Sequence, residues 1–222
     1  MKETVLVSGG AGYIGTHTTV ELIEAGYDVV IVDNLSNSEM AAVEGVRKIT
    51  GVNVPFEQVD CTDKEALGRV FDQYKFNSII HFAASKAVGE SVEKPLLYYR
   101  NNLQSLITIL ELMRDKGVRN IVFSSSCTVY GQPDVLPVTE QTPRQPATSP
   151  YGNTKQICED ILRDTVHAYP ELFGIALRYF NPIGAHPSAL IGELPKGVPM
   201  NLVPFITQTA AGIREYLSVF GD

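Results

Sequence analysis

The sequence lacks several features that mark particular classes of protein. Its three cysteines, Cys61, Cys127 and Cys158, include no Cys-x-x-Cys pair, so we expect neither a disulfide framework nor a zinc site, and a reducing cytoplasm is the predicted location. No run of 18 apolar residues occurs, and Met1 leads directly into an apolar strand pattern without a basic segment. The sequence therefore predicts neither secretion nor insertion into a membrane.

An excess of basic residues is also missing. The 222 residues include 18 Lys and Arg against 25 Asp and Glu, a formal net charge of -7. This balance argues against non-specific binding to nucleic acid or to anionic membranes, and an anionic ligand needs a local positive site. With 44% hydrophobic and 19% charged residues, the composition predicts a globular protein with one large core.

Six short β-branched segments alternate with longer amphipathic ones. They read TVLVSG, DVVIVD, VPFEQVD, SIIHFAA, NIVFSSS and GIALRYF. This alternation predicts an α/β fold with a doubly wound parallel sheet, right-handed crossovers and strands buried on both faces. Two proline-rich segments, 133–150 and 182–204, follow strand ends and predict long loops that carry function.

The segment GGAGYIG places Gly9, Gly12 and Gly15 after a strand and at the start of a helical pattern. That context is typical of a dinucleotide site, because glycine lets the backbone approach a pyrophosphate at a helix N-terminus. Asp33 ends the second strand, where a carboxylate accepts hydrogen bonds from the adenosine ribose, which favours NAD over NADP. FAD, or a structural turn with a loop aspartate, remains an alternative. Asp60 suits the adenine edge or a helix cap.

Tyr151 and Lys155 are four residues apart in SPYGNTKQICEDIL and share one face of a helix. A nearby ammonium and a cationic nicotinamide favour the phenolate of the tyrosine, so Tyr151 is a candidate proton acceptor. The spacing alone also fits a solvated helix face. The preceding strand places Ser124, Ser125 and Ser126 at the sheet edge, where a serine hydroxyl can donate a hydrogen bond to a reacting oxygen. For Ser124 and Ser125 the alternative is a structural role, in which the hydroxyls form hydrogen bonds with backbone groups at the strand end.

Together with HFAASKAVGES, RYFNPIGAHPS and DNLSNS, these motifs are similar to those of the extended short-chain dehydrogenase/reductase family, and within it of the UDP-glucose 4-epimerases. The resemblance covers essentially the whole chain. It implies bound NAD, UDP-glucose and UDP-galactose as substrates, and a hydride that leaves and returns at sugar C4 through a 4-keto intermediate. It also implies a catalytic set in which Tyr151 is the base, Lys155 binds the nicotinamide ribose and lowers the tyrosine pKa, and Ser126 binds the 4-oxygen.

The resemblance further implies cofactor and substrate contacts. The cofactor contacts are Gly9, Gly12, Tyr13, Ile14, Gly15, Asp33, Asn34, Leu35, Ser36, Asn37, Ser38, Asp60, Cys61, Phe82, Ala83, Ala84, Ser85, Lys86, Asn101, Ser126, Tyr151, Lys155 and Phe180. The substrate contacts are Lys86, Ser126, Tyr151, Asn181, Asn201, Leu202 and Phe220. No metal site is implied. For Phe82 and Phe180 a core position is the alternative, and for Asn201 a helix cap.

Residues 1–180 are predicted as an NAD-binding Rossmann domain, and 181–222 as the start of a substrate-binding region whose remainder is largely absent. YLSVFGD at 216–222 resembles the start of a further strand, so the chain is expected to be truncated. It is then an epimerase or a cofactor-binding fragment without turnover. The helical patterns NNLQSLITILELM and GNTKQICEDILRDTV fit two arrangements. Their apolar faces can pack between two subunits of a homodimer or within the core of one chain.

Related activities are the remaining alternatives. A sugar-nucleotide 4,6-dehydratase needs an Asp-Glu pair after the serine strand, whereas Cys127 and Thr128 stand there, and neither does that acid/base work readily. A uronate decarboxylase or epimerase needs recognition of a C6 carboxylate. The sequence does not decide whether N-acetylated UDP-sugars are accepted.

Overall fold

The computed structural model describes residues 2–199 and 201–219. The strands are β1 (Thr4–Ser8), β2 (Asp28–Val32), β3 (Phe56–Glu57), β4 (Ser78–His81), β5 (Asn120–Ser126) and β6 (Phe173–Tyr179). The helices are α1 (Tyr13–Glu24), α2 (Met40–Thr50), α3 (Lys64–Gln73), α4 (Val88–Glu93), α5 (Pro95–Lys116), α6 (Pro150–Ala168) and α7 (Leu202–Ala210), with a 3-10 turn at Cys127–Tyr130.

Within the described residues the strands form one sheet in the order β3-β2-β1-β4-β5-β6, and every pair is parallel. The chain runs outward from β1 to β3, then crosses back to place β4 against the other side of β1. The predicted doubly wound α/β fold is therefore confirmed. The order reverses between β1 and β4, and folds of this kind bind ligands beyond the carboxyl ends of the strands at that point.

Two hydrophobic layers cover the sheet, as the alternation of strands and helices requires. On one face, Leu106 and Ile109 of α5 pack with Leu162 of α6 and with the α3 side chains. On the other face, Val20 of α1 packs with the α2 valines. The apolar positions of α5 and α6 thus pack into the core of this chain. This is one of the two interpretations of their sequence patterns, the other being contact between two subunits.

The prediction that the strands are buried on both faces is wrong for β6. Phe173 and Ile175 are 61% and 59% exposed. Their side of the strand faces away from α6, where Gly174 approaches Leu162 so closely that an added Cβ would lie 2.8 Å from it. Because β6 is the last strand of the described sheet, one of its faces and one of its edges lack a neighbour among the described residues.

Three local expectations also need correction. Asp60 does not cap α3; the cap is Asp63, whose carboxylate accepts from Ala66 N. Only two residues of the third predicted strand, VPFEQVD, are in β conformation, namely Phe56 and Glu57. Residues 216–219 form no strand, and Phe220 lies outside the described part of the chain. Among the described helices, none is both long enough and apolar enough to span a membrane.

Candidate active site

The predicted site residues meet at one edge of the sheet because parallel strands all end there. The glycine turn follows β1, Asp33 follows β2, Phe82 follows β4, and Ser126 ends β5. The turn and the loop after β4 are in direct contact, since a Cβ on Gly9 would lie 2.6 Å from Ala83 N. The fold therefore assembles these four segments around the switch point.

The three glycines of the turn have different tasks. Gly9 has a φ of 69° and packs against the loop after β4, and a Cβ on Gly15 would lie 2.3 Å from the Gly9 carbonyl oxygen. These two glycines permit close packing within the protein. A Cβ on Gly12, by contrast, meets only the Gly9 oxygen, at 3.2 Å, within the described structure.

Gly12 is also the N-cap of α1 and supplies no capping side chain. The first N–H groups of a helix lack partners inside it and carry a partial positive charge. The start of α1 thus combines uncapped donors with space that a larger residue at 12 would fill. This geometry fits the pyrophosphate of the predicted dinucleotide.

Asp33 is buried at the end of β2, beside the glycine turn. One carboxylate oxygen accepts from Ala11 N at 3.2 Å, and the other accepts from Leu35 N at 2.9 Å and from Ser38 Oγ at 2.7 Å. Asp33 therefore shapes the loop that follows it, where Leu35 has a φ of 58°. The loop role and the predicted ribose contact are compatible, because each carboxylate oxygen has two acceptor positions.

Asp60 lies next to this loop, where it accepts from Asn34 Nδ2 at 2.9 Å and from Thr62 Oγ1 at 2.7 Å. Burial by itself raises the pKa of the Asp60 carboxyl, but hydrogen bonds from Thr62 and Asn34 outweigh it and leave the pKa below its usual value. Burial raises the pKa of the adjacent Cys61 thiol to about 12. The Cys61 thiol is therefore uncharged at neutral pH, and its side chain belongs to the hydrophobic core.

Asn102 is a buried residue beside the candidate site, where the sequence analysis singled out its neighbour Asn101 instead. It is buried, accepts from Ser85 N at 2.8 Å, and donates to Ser85 O and to Thr154 Oγ1, both at 3.0 Å. It thereby joins the loop after β4 to the helix that carries Lys155. A polar residue within the apolar pattern of α5 was the available signal. Asn101 donates to Ser85 Oγ at 3.2 Å.

Tyr151 and Lys155 lie on the first turns of α6, which Ser149 caps by accepting from Gly152 N at 3.1 Å. Lys155 is 3% exposed, and its Nζ donates to the Ser124 carbonyl oxygen at 2.7 Å. Burial lowers the pKa of Lys155 to about 8. The alternative of a solvated helix face is therefore wrong for this pair.

The pKa of Tyr151 is raised, chiefly by burial, while the neighbouring Ser126 hydroxyl acts in the opposite direction. The predicted lowering by Lys155 is not present in the polypeptide alone. The Lys155 Nζ lies 5.8 Å from the centre of the Tyr151 ring, and its hydrogen bond goes to Ser124. Desolvation of a phenolate at this position is therefore the dominant influence on the pKa.

The three serines of β5 divide their tasks. Ser124 supplies the carbonyl that holds Lys155. Ser125 donates to Glu159, at 2.5 Å, within an ion pair between Glu159 and Arg178, which supports the structural interpretation for this serine. Ser126 accepts from Thr128 N at 3.2 Å and faces Tyr151, so it is the serine placed to act with the tyrosine.

The segment that carries the predicted substrate contacts lies after β6. Asn181 and Phe180 are exposed, Phe180 by 62%, which argues against a core position for this phenylalanine. Phe82, by contrast, is half-buried against the α1 and α2 core. Asn201 occupies the N-cap position of α7, but its side chain makes no capping bond. It donates instead to Glu193, which the sequence analysis did not single out.

Comparison with known proteins identifies similar chains. The family model described as GDP-mannose 4,6 dehydratase matches residues 6–222. UDP-glucose 4-epimerase 2 of Arabidopsis thaliana is 54% identical over 224 residues, which cover 100% of this chain and 64% of the relative. UDP-glucose 4-epimerase of Mus musculus is 51% identical, with 99% of this chain and 65% of the relative covered.

Solved structures agree with these relatives. UDP-glucose 4-epimerase from Bifidobacterium longum in complex with NAD+ and UDP superimposes with a TM-score of 0.96 and 50% identity, covering 99% of this chain and 65% of that one. The enzyme from Stenotrophomonas maltophila with bound NAD and formylated UDP-arabinopyranose gives 0.95 and 48%, with the same coverage. The chain thus spans slightly less than two thirds of the length of these similar proteins.

Proposed function

The chain belongs to the extended short-chain dehydrogenase/reductase family that comprises the sugar-nucleotide epimerases and dehydratases, and from this premise we propose that it interconverts UDP-glucose and UDP-galactose with bound NAD. The observation that carries the proposal is the geometry of α6. It buries Lys155 against the Ser124 carbonyl and places Tyr151 beside Ser126. A helix that merely covered the sheet has no need of a buried lysine.

NAD fits the site because the start of α1 offers uncapped N–H groups, with space beyond Gly12, and because the Asp33 carboxylate lies beside the same turn. When bound, NAD supplies reversible hydride transfer at sugar C4. We assign the glycine turn to the pyrophosphate, Asp33 and Asn34 to the adenosine end, and Lys155 to the nicotinamide ribose. The Asp60 carboxylate supports this end by fixing the Asn34 amide.

Tyr151 is the proposed acid/base residue. Its phenolate oxygen takes the proton of the sugar 4-hydroxyl as the 4-keto sugar forms, and the resulting hydroxyl returns the proton when the opposite face is reduced. Ser126 donates a hydrogen bond to the same oxygen as charge develops there. Because the chain alone holds the pKa of Tyr151 above its usual value, the phenolate requires positive charge that arrives with the oxidised cofactor.

The UDP group is the proposed anchor of the substrate, and the contacts assigned to it are Lys86, Asn181, Asn201, Leu202 and Phe220. Holding the nucleotide while leaving the sugar loose allows the 4-keto sugar to present either face. We accordingly propose residues 1–180 as the cofactor domain and 181–222 as the start of the substrate region.

A 4,6-dehydratase is the alternative that the description of the matching family model favours. That reaction requires removal of a C5 proton and protonation of the C6 hydroxyl, for which Asp and Glu are suited. Cys127 and Thr128 stand in the corresponding positions at the end of β5. We therefore favour epimerisation.

Cofactor binding without turnover is the second candidate. It is supported by the share of the relatives that the chain spans, 64% for the first of them, and by the exposed face of β6. The two candidates differ in one measurement. The purified chain is denatured to release and quantify NAD, and the native chain is assayed with UDP-galactose. Released NAD with turnover supports the epimerase, released NAD alone supports the second candidate, and no NAD contradicts both.

We also propose a homodimer and a cytoplasmic location. The dimer is supported by the exposed Leu96 and Leu97 at the start of α5, although most apolar positions of that helix serve the core. The location is supported by the three free cysteines, two of them buried as thiols. Sedimentation of the purified chain tests the dimer, and a fluorescent fusion observed in cells tests the location.

A further inference from the structure

Glu193 is a carboxylate with no role in the proposed reaction, yet it lies among three predicted site residues. Its side chain is only 13% exposed, and the Lys86 Nζ lies 3.9 Å from its Oε1. The same oxygen accepts from Asn201 Nδ2. Burial and then the negative charge of Glu193 raise the pKa of Tyr13. Through its contacts with Lys86 and Asn201, Glu193 thus joins the loop after β4 to the start of α7.

The backbone around Glu193 is fixed by the core. Ile191, two residues earlier, is 4% exposed and packs with the α1 and α2 side chains. An added Cβ on Gly45 of α2 would lie 2.6 Å from the Leu190 carbonyl oxygen, so the segment is seated directly on the helix. The Glu193 carboxylate therefore has a defined position without any ligand.

The bond to Glu193 changes what Asn201 does. Asparagine at an N-cap normally accepts from the N–H of the second or third helical residue. In α7 the third residue is Pro204, which has no N–H, and Asn201 makes no capping bond. A carboxylate only accepts hydrogen bonds, so the amide must turn its nitrogen toward Glu193. The side chain is thereby held off the helix end and toward Lys86.

We propose that Glu193 is a positioning residue of the UDP-sugar site, which holds the Asn201 amide where it contacts the bound nucleotide sugar. The inference rests on the proposed function, because UDP-sugar is the substrate proposed there. Fixing a flexible polar side chain before binding reduces the ordering cost that the ligand otherwise bears. The Lys86 ammonium also offsets the carboxylate charge that a diphosphate would meet.

The test compares Glu193→Ala, Glu193→Gln and the control Glu171→Gln, an exposed glutamate in the turn after α6, in the full chain. Dissociation constants for UDP are measured by calorimetry, with KM, kcat and bound NAD from the same preparations. Glu193→Ala is expected to weaken UDP binding and raise KM about tenfold, the loss typical of one charge-assisted hydrogen bond, while kcat and bound NAD stay unchanged. Glu193→Gln keeps an acceptor for Asn201 and recovers most of the loss, and Glu171→Gln changes nothing.

A second comparison tests whether Glu193 affects UDP binding through Asn201. Because Glu193 is proposed to act through Asn201, the double variant Glu193→Ala/Asn201→Ala is expected to bind UDP about as weakly as Asn201→Ala alone. Full additivity overturns the inference. An unchanged UDP affinity in Glu193→Ala also overturns the inference. An equal fall in kcat, bound NAD and melting temperature overturns it too, because it indicates a purely structural role for Glu193. A wild-type chain that binds no UDP overturns the proposed function as well, whereas normal wild-type binding with unaffected variants overturns this inference alone.

Discussion

The ammonium of Lys155 donates to the carbonyl oxygen of Ser124, at 2.7 Å, rather than to the hydroxyl of Tyr151. The lysine is therefore held by the strand that carries the reacting serine, one helical turn away from the tyrosine it is expected to assist. A charged group at 3% exposure is held there at an energetic cost, since burial lowers its pKa from 10.5 to about 8. Function is the reason to retain it.

Replacing the lysine is expected to separate stability from activity. Lys155→Met keeps the volume and removes the buried charge, so the free energy of unfolding at pH 7 should rise by up to about 3 kcal/mol, the equivalent of the pKa shift, less the lost bond to Ser124. Turnover should be lost. Chemical denaturation of both proteins measures the difference, and Lys48→Met on the surface is the control.

The pH dependence of that difference has a definite sign. Between pH 8 and 10.5 the unfolded wild-type chain binds more protons at this lysine than the folded chain does, so the wild type gains stability relative to Lys155→Met as pH rises through this window. Unfolding at several pH values gives the difference directly, with other groups cancelling between the two proteins. A difference that stays constant up to pH 10.5 contradicts the charged, buried assignment.

Tyr151→Phe tests the base. The variant removes the hydroxyl but leaves the ring, the helix and Lys155 in place, so bound NAD should be nearly normal while turnover falls at least about 100-fold, as expected for loss of acid/base catalysis. NAD released on denaturation and the UDP-galactose assay measure the two quantities. Tyr169→Phe, beyond the C-terminal end of α6, is the control. Equal loss of cofactor and activity would show that Tyr151 acts in binding instead.

Substitutions at Gly12 and Gly15 are expected to have different effects, the first on cofactor binding and the second on stability. Gly12→Val directs its side chain into the space beyond the turn, so the protein should fold, with an ordinary melting curve and no bound NAD. Gly15→Ala places its Cβ 2.3 Å from the Gly9 oxygen and should lower the melting temperature itself. Circular dichroism and NAD content measured on both variants separate the two effects. Unchanged NAD in Gly12→Val excludes the pyrophosphate assignment.

The sequence predicted the positions of the strand-end residues better than it predicted the energetics of the buried groups. Parallel strands bring their ends together whatever the details, so strand-end residues such as Asp33 and Ser126 could be placed without coordinates. The bond from Lys155 to Ser124 could not, because it joins a helix side chain to a backbone carbonyl, which carries no sequence pattern. The bonds of Asn102 and Glu193 were not predicted either, because the side-chain partners of a polar residue are set by the folded chain. The prediction that β6 is buried on both faces was wrong because the burial of a strand depends on the elements that pack against it rather than on its own composition.

Asp33 should govern the choice of cofactor and the shape of its own loop together. Asp33→Ala removes the carboxylate that would repel a 2'-phosphate, so discrimination against NADP relaxes, but it also removes the acceptor for Leu35 N and Ser38 Oγ, so NAD affinity falls too. Asp33→Asn keeps an acceptor at lower charge and should change the NADP preference with less damage to the loop. Titration of cofactor-stripped protein with NAD and NADP measures both effects. If Asn and Ala at 33 lower NAD affinity equally and neither improves the NADP ratio, the carboxylate serves the loop alone.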